Sequence, residues 1–477
     1  MEEPRSMNTP TSTGFPRSFW TANTTELFER GAYYSVASFI VIYLGQLGLG
    51  DYWPSTLNGF LWSIVYFLPI LSGTIADQVG FRKALVAAFL LLCSGYFLMG
   101  FPVWFGGQTL TTTVGSEVTA TAAGVVPVVL GMLLIGLGGS VVKPCISGTV
   151  QKTHRGRATL AFAIFYMVIN IGSLFGRGVS FYVRTHSMLA NIFAVGTCCA
   201  ALALLVVLFA YRDPEKEHGF EPGPPKAKRS IPRILADMVL VLRNPRFSLF
   251  LLVSSGFWFL YSQVYNVLPL YLKKVVETDP AVDLYTMANP LVIVCFQLLV
   301  THLFGKMRPI RSIVVGTVII GLSMAVNTLP ALMGSVRVPF LDLLPVGAAL
   351  IVLSVALVAF GELFTSARMF EYIGALAPKG QEGLFLGYAN LPTAIGALIG
   401  GPAGAAIFNE VMCTGATKRS DGLLDLDPKW NAAGWGILMG IGLLSALSMW
   451  LYNRWIEKGA AGAAGAAGAA GAAGQKT

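Results

Sequence analysis

Charge is scarce in this chain, and where it falls inside apolar segments it is grouped. The first group is Glu26-Leu-Phe-Glu29-Arg30-Gly-Ala-Tyr33-Tyr34, opening a segment that runs apolar to about Gly50. On a helix, Glu26, Glu29, Arg30, Tyr33 and Tyr34 fall on or beside one stripe, and Phe28, Ala32, Val36, Phe39 and Ile40 form the apolar opposite. Each charge near the middle of a bilayer costs roughly 2.5 to 3.5 kcal/mol on insertion scales, so such residues face a bundle interior or a wet cavity. Two carboxylates and one guanidinium leave one excess negative charge, which a proton, a second cation or a substrate ammonium would neutralise. That is the chemistry of a proton-coupled site. The plainer reading is a charge cluster in headgroup water, with Arg30 snorkelling.

Other polar residues are spaced along the apolar stretches. Lys143, beside Pro144, lies mid-span, where an unpaired ammonium is expensive, so Glu26 or Glu29 is its expected partner. Glu362 follows a long apolar run from Val346, where it can sit protonated, pair with a substrate amine, or bond a nearby hydroxyl. Asn170 and Asn289 suit either a ligand or a neighbouring helix, and Pro290 suits a kink. Tyr33, Tyr34, Tyr66 and Trp258 offer ring faces and polar tips to a pocket, or simply fill the core. Arg177 either neutralises an acid or reaches an interface, and Arg368 reads as snorkelling.

The elements that must position these groups are membrane spans. The 477 residues are 55% hydrophobic and only 12% charged, with mean hydropathy +0.66, which marks an all-α polytopic membrane protein. We read about twelve spans, near 26–49, 54–77, 82–105, 123–150, 157–181, 188–211, 246–273, 283–305, 311–334, 340–370, 382–412 and 431–456. This gives a polar N-terminal segment (1–25) with no apolar leader, a six-helix bundle (26–211), a linker (212–245), a second six-helix bundle (246–456) and a flexible Gly/Ala-rich tail (457–477). Within the linker, Ile231 to Leu242 suits a short interfacial helix. The net charge of +9 reads as topology rather than nucleic-acid binding: Arg and Lys crowd every second loop, Lys273, Lys274, Lys418 and Arg419 being the exceptions. Both termini are therefore expected in the cytoplasm and the chain in the plasma (inner) membrane, as a monomer. Five of the six cysteines lie in apolar segments and suggest no disulfide framework. No metal set, no phosphate loop and no nucleophile–base pair points to an enzyme, and no cofactor is expected beyond protons as the coupling ion.

After the second span, Gly73-Thr-Ile-Ala-Asp77-Gln-Val-Gly80-Phe-Arg82-Lys83 resembles the gating motif of the major facilitator superfamily, while Gly305-Lys306-Met307-Arg308 keeps only its basic remnant. Four further stretches resemble the proton-dependent oligopeptide transporter family. They are the Glu26 to Tyr34 motif; Gly139 to Ser147 around Lys143; Phe165-Tyr166-Met-Val-Ile169-Asn170-Ile-Gly172-Ser173-Leu174; and Gly361-Glu362-Leu363 with Ser366 and Leu376-Ala377-Pro378. Asn289-Pro290 is a weaker fifth.

The resemblance implies two six-helix bundles around a midplane site. It implies a symporter that brings in protons with di- or tripeptides or related small zwitterions. It gives Glu26, Glu29, Arg30, Lys143 and Glu362 to proton coupling. It places Arg30 and Lys143 at a substrate carboxylate, and Asn170, Asn289 and Glu362 at its amino end. Gly31 stands where the first motif has a Phe; other departures put ordinary dipeptides in doubt, Ser262 replacing a seventh-span acid and Ala37 a second first-span arginine. The eleventh-span tryptophan is missing near Gly387-Tyr388-Ala389. The alternative on the same fold is nitrate, another small organic anion or an amino-acid-like solute.

Overall fold

The structure is a computed structural model describing residues 14–111, 115, 117–153, 157–216, 231–329, 346–376 and 388–474, with some side chains, Asp77 and 459–474 among them, outside the description. The first half comprises α1 (Arg17–Ala37), α2 (Ile40–Leu44), α3 (Trp53–Phe67), α4 (Pro69–Val79), α5 (Phe81–Trp104), α6 (Ala122–Thr153), α7 (Ala158–His186) and α8 (Ile192–Phe209). The linker carries α9 (Ile231–Leu242). The second half comprises α10 (Pro245–Ser262), α11 (Val267–Tyr271), α12 (Val282–Thr286), α13 (Ala288–Phe304), α14 (Pro309–Val326), α15 (Val346–Leu376), α16 (Leu391–Ala406) and α17 (Pro428–Gly474). A short hairpin before α17 pairs β1 (Thr417–Lys418) antiparallel with β2 (Leu424–Asp425).

Among the described residues, ten helices are long and apolar enough to cross a membrane, or up to twelve spans if each of two bent pairs counts as one. The bends are 48° after α1 and 41° after α3. Pro69 accounts for the second, because its ring removes a backbone donor. At the first, the Ser38 hydroxyl is tied to Thr286 Oγ1 in the other half (2.9 Å).

Boundaries differ from expectation in places. α1 begins at Arg17, after Pro16, so part of the segment expected to precede the first span is helical, with Asn23 and Thr25 buried. The last helix continues past Lys458 through the Gly-Ala-Ala repeat to Gly474, where flexible chain was expected; two alanines in every three residues favour helix there. The proposed span ends within 330–345 and 382–387, Ala377-Pro378 and Gly387 lie outside the described residues.

Close backbone contact seats the first charge group. A Cβ added at Gly176 on α7 would stand 2.5 Å from the Gly31 carbonyl oxygen, and one at Gly172 would stand 2.8 Å from Arg30 Cβ. The Phe175 ring already occupies the space beside Gly31, where an added Cβ would stand 3.3 Å from it, which explains the departure from an aromatic at position 31. Gly176→Leu should therefore push α1 off α7 and destabilise the protein by about 1–3 kcal/mol, read as a lower melting temperature; an unchanged melt would refute the contact.

Candidate functional site

Glu26, Glu29 and Arg30 are all buried on α1. Arg30 folds back onto Glu29 as a two-pronged pair, with Nε donating to Oε2 at 2.5 Å and Nη2 to Oε1 at 2.7 Å. Such fork-to-fork pairs are among the strongest side-chain contacts. Glu26 is left outside the fork. Its nearer oxygen is 3.5 Å from Arg30 Nε, and both oxygens are buried without a hydrogen-bond partner among the described residues. The guanidinium also lies 5.2 Å from the Tyr33 ring and 5.8 Å from that of Tyr34.

Lys143 departs from expectation. It is half-buried on α6, its ammonium 5.6 Å from the Tyr66 ring, and among the described residues it forms no ion pair with Glu26, Glu29 or any other carboxylate. Part of the physical reason is competition: Arg30 reaches Glu29 within one helix turn, so Glu29 is already engaged, while Glu26 stays beside Arg30 at 3.5 Å. Lys143 still lies close enough to feel Arg30, Glu26, Glu29 and Glu362 electrostatically.

On the second half, Asn289 on α13 donates to Glu362 Oε2 on α15 at 3.1 Å. Asn170 is buried on α7 and donates to the carbonyl of Tyr166 in its own helix (2.9 Å). Trp258 is half-buried with its indole nitrogen 3.4 Å from Met369 sulfur. The structure therefore brings Glu26, Glu29, Arg30, Tyr33 and Tyr34 into one cluster, Lys143 and Tyr66 into a second, and Asn289 with Glu362 into a third. Sequence reasoning missed Trp62, Tyr261 and Tyr265. The Trp62 ring lies 6.3 Å from Tyr33, 5.8 Å from Tyr66, 6.3 Å from Tyr261 and 4.9 Å from Tyr265, joining the halves, while its buried indole nitrogen has no acceptor among the described residues. The helical spacing of Trp62 with Tyr66, and of Tyr261 with Tyr265, was the available signal.

Polar contacts between the halves gather on the face opposite the chain ends. Lys274 pairs with Asp51, the Tyr52 hydroxyl donates to Glu410 (2.5 Å), and Asn58 donates to Asn266 (2.9 Å) and to the Tyr265 carbonyl (3.1 Å). Arg184 meets Asp279 at 3.1 Å and Asp283 at 3.6 Å. The Glu410 bond pushes the Tyr52 hydroxyl up to about 12, so it remains a donor across the physiological range. An added Cβ at Gly59 on α3 would stand 2.5 Å from the Ala397 carbonyl on α16, so the backbones also touch here. Lys274, an exception to the charge pattern of the loops, thus serves the closed face.

In the gating motif, Gly80 ends α4 at φ 97°, a left-handed conformation suited to glycine. Gly73 packs against Pro144, where an added Cβ would stand 3.0 Å from the ring. The Arg82 backbone N–H donates to Asp213 (2.8 Å) and its Nη2 to the Leu208 carbonyl (2.5 Å), holding the end of α8. Lys83 is exposed, and the Asp77 side chain lies outside the described residues.

The sequence model described as Major Facilitator Superfamily matches residues 19–365. "Dipeptide and tripeptide permease A" of Erwinia pyrifoliae is 24% identical over 52% of this chain and 45% of its own. The chain spans a little under half the length of the curated dipeptide and tripeptide permeases it matches. "Multidrug resistance protein MdtH" of Aeromonas hydrophila is 24% identical over 73% of this chain and 76% of its own. Among solved structures, a POT family transporter in complex with 5-aminolevulinic acid superposes with TM-score 0.70 at 18% identity, covering 93% of this chain and 98% of that one. With the family model matched across most of its length, this chain belongs to the Major Facilitator Superfamily.

Proposed function

We propose that this chain is a proton-dependent oligopeptide transporter, importing di- or tripeptides or a related small zwitterion together with protons by alternating access. The observation that carries this reading is the division of labour in the charges inside the spans: Arg30 is held by Glu29, and among the described residues Glu26 has no hydrogen-bond donor and Lys143 no ion pair. A proton on Glu26 cancels the excess negative charge of the α1 trio and leaves Lys143 without its long-range balance. A substrate carboxylate then supplies that balance, engaging Lys143 and Arg30. The amino end of the substrate faces Glu362, Asn289 and Asn170, while the ring cluster around Trp62 accommodates its side chains. The halves, joined on one face here, rock apart there and close on the other side. Because coupling is reciprocal, substrate binds more tightly when the acid carries its proton. With both termini in the cytoplasm, the closed face is the outer one and the site opens inward.

The supporting likenesses are the motifs of spans one, four, five and ten and the names of the matched permeases. Counterflow of labelled dialanine in liposomes, with nitrate and single amino acids as competitors, tests the reading. Unlabelled dialanine should displace the label and nitrate should not; displacement by nitrate alone would transfer the reading to small anions.

A further inference from the structure

Arg177 on α7 is a permanently charged group with none of its surface exposed, yet among the described residues no carboxylate pairs with it. Its side-chain partners are neutral. Nε donates to Thr286 Oγ1 at 3.2 Å, Nη2 to the Tyr265 hydroxyl at 2.9 Å, and Nη1 to Ser173 Oγ. The Tyr34 ring lies 4.4 Å away. A buried cation without a counter-ion is costly, and a guanidinium cannot escape the cost by losing its proton.

The division of those partners between the halves is informative. Ser173 and Tyr34 belong with Arg177 to the first half, whereas Thr286 on α12 and Tyr265, between α10 and α11, belong to the second. When the halves part on this face, Nε and Nη2 lose their hydroxyl acceptors together. What remains is a pair of adjacent donors on a planar fork facing the gap, the arrangement that matches the two oxygens of a carboxylate. Tyr34 also lies 5.8 Å from Arg30, so one ring separates this fork from the first-span charge cluster.

Building on the transport reading above, we propose that Arg177 is a second carboxylate-recognition position. In the state open on this face it binds the carboxylate of the arriving zwitterion. On closure it exchanges that carboxylate for the hydroxyls of Tyr265 and Thr286, and the solute passes to Arg30 and Lys143. Bound carboxylate and closed contact use the same two donor nitrogens and exclude one another.

The test is competition against labelled dialanine uptake by the full chain in liposomes, comparing dialanine with dialanine amide, which lacks the carboxylate. Arg177→Gln should weaken dialanine at least about tenfold more than the amide, the loss expected for a hydrogen-bonded charge. Arg177→Lys, which keeps the charge without the fork, should lose less of the preference and serves if Arg177→Gln does not fold. The Tyr265→Phe, Thr286→Val pair removes the closed-state acceptors but keeps the guanidinium, and should retain or increase the preference for the acid. Equal shifts for acid and amide in the Arg177 variants would overturn the proposal, as would a matching loss of acid preference in the Tyr265/Thr286 pair, since both mark a closing contact alone. A wild-type chain that takes up no dialanine would remove the peptide reading and this inference together. Uptake with unaltered selectivity in the Arg177 variants would remove this inference only.

Discussion

Lys143→Ala should lower proton-driven dialanine uptake by roughly 10- to 150-fold while the protein stays folded. The magnitude corresponds to losing a hydrogen bond from a charged group to the substrate, about 1.5–3 kcal/mol. Folding should survive because Lys143 is half-buried and holds no acid in an ion pair among the described residues, so its removal strands none of their carboxylates; the Arg30–Glu29 fork remains intact. Uptake in liposomes under an inward proton gradient, with a melting curve as the control, reads both halves of the expectation. Near-normal uptake would show that Lys143 does not hold the substrate. A large fall in melting temperature would show that the residue is structural.

A comparable effect is expected at Glu29, by a different route. Glu29→Gln keeps the shape of the side chain and removes the charge that holds Arg30. Breaking a buried pair costs about 3–5 kcal/mol when nothing replaces the lost partner, but here Glu26 stands 3.5 Å from Arg30 Nε and takes over as counter-ion. The protein should therefore fold with a modest loss of stability. With Glu26 committed to Arg30, the trio has no excess negative charge for a proton to cancel, so uptake should lose its dependence on the pH gradient. Gradient-driven accumulation is expected to fall on the order of a hundredfold, while counterflow, which needs no net proton movement, falls much less. Uptake by Glu29→Gln that keeps a wild-type response to the gradient would exclude this exchange of partners.

Much of this was legible in the residues because charge inside an apolar span is conspicuous. The helical stripe of Glu26, Glu29, Arg30, Tyr33 and Tyr34 announced a buried cluster, and the spacing of apolar runs announced the spans. The pairing within the cluster was not legible. Glu29 and Arg30 are adjacent, and neighbouring residues on a helix do not ordinarily face each other; only the length and flexibility of arginine let the fork form. That pairing engages Glu29, one of the two partners expected for Lys143; the other, Glu26, stays beside Arg30. The two bends were also hard to foresee: Pro69 marks one, but the break at Ser38 goes with a contact to Thr286, far along the chain. The contacts that close one face link span ends of opposite halves, such as Asp51 with Lys274, and no local pattern reports a partner so distant. Arg177 was visible as a charge out of place, but its neutral partners lie largely in the other half.

Proton movement into liposomes carrying a lumenal pH dye, recorded as dialanine is added outside with no gradient imposed, tests the role of Glu26 most directly. Wild-type protein should acidify the lumen as dialanine enters, and Glu26→Gln should carry dialanine in counterflow with no acidification. Lumenal acidification by Glu26→Gln equal to wild type would place the coupling proton on another group and contradict the mechanism.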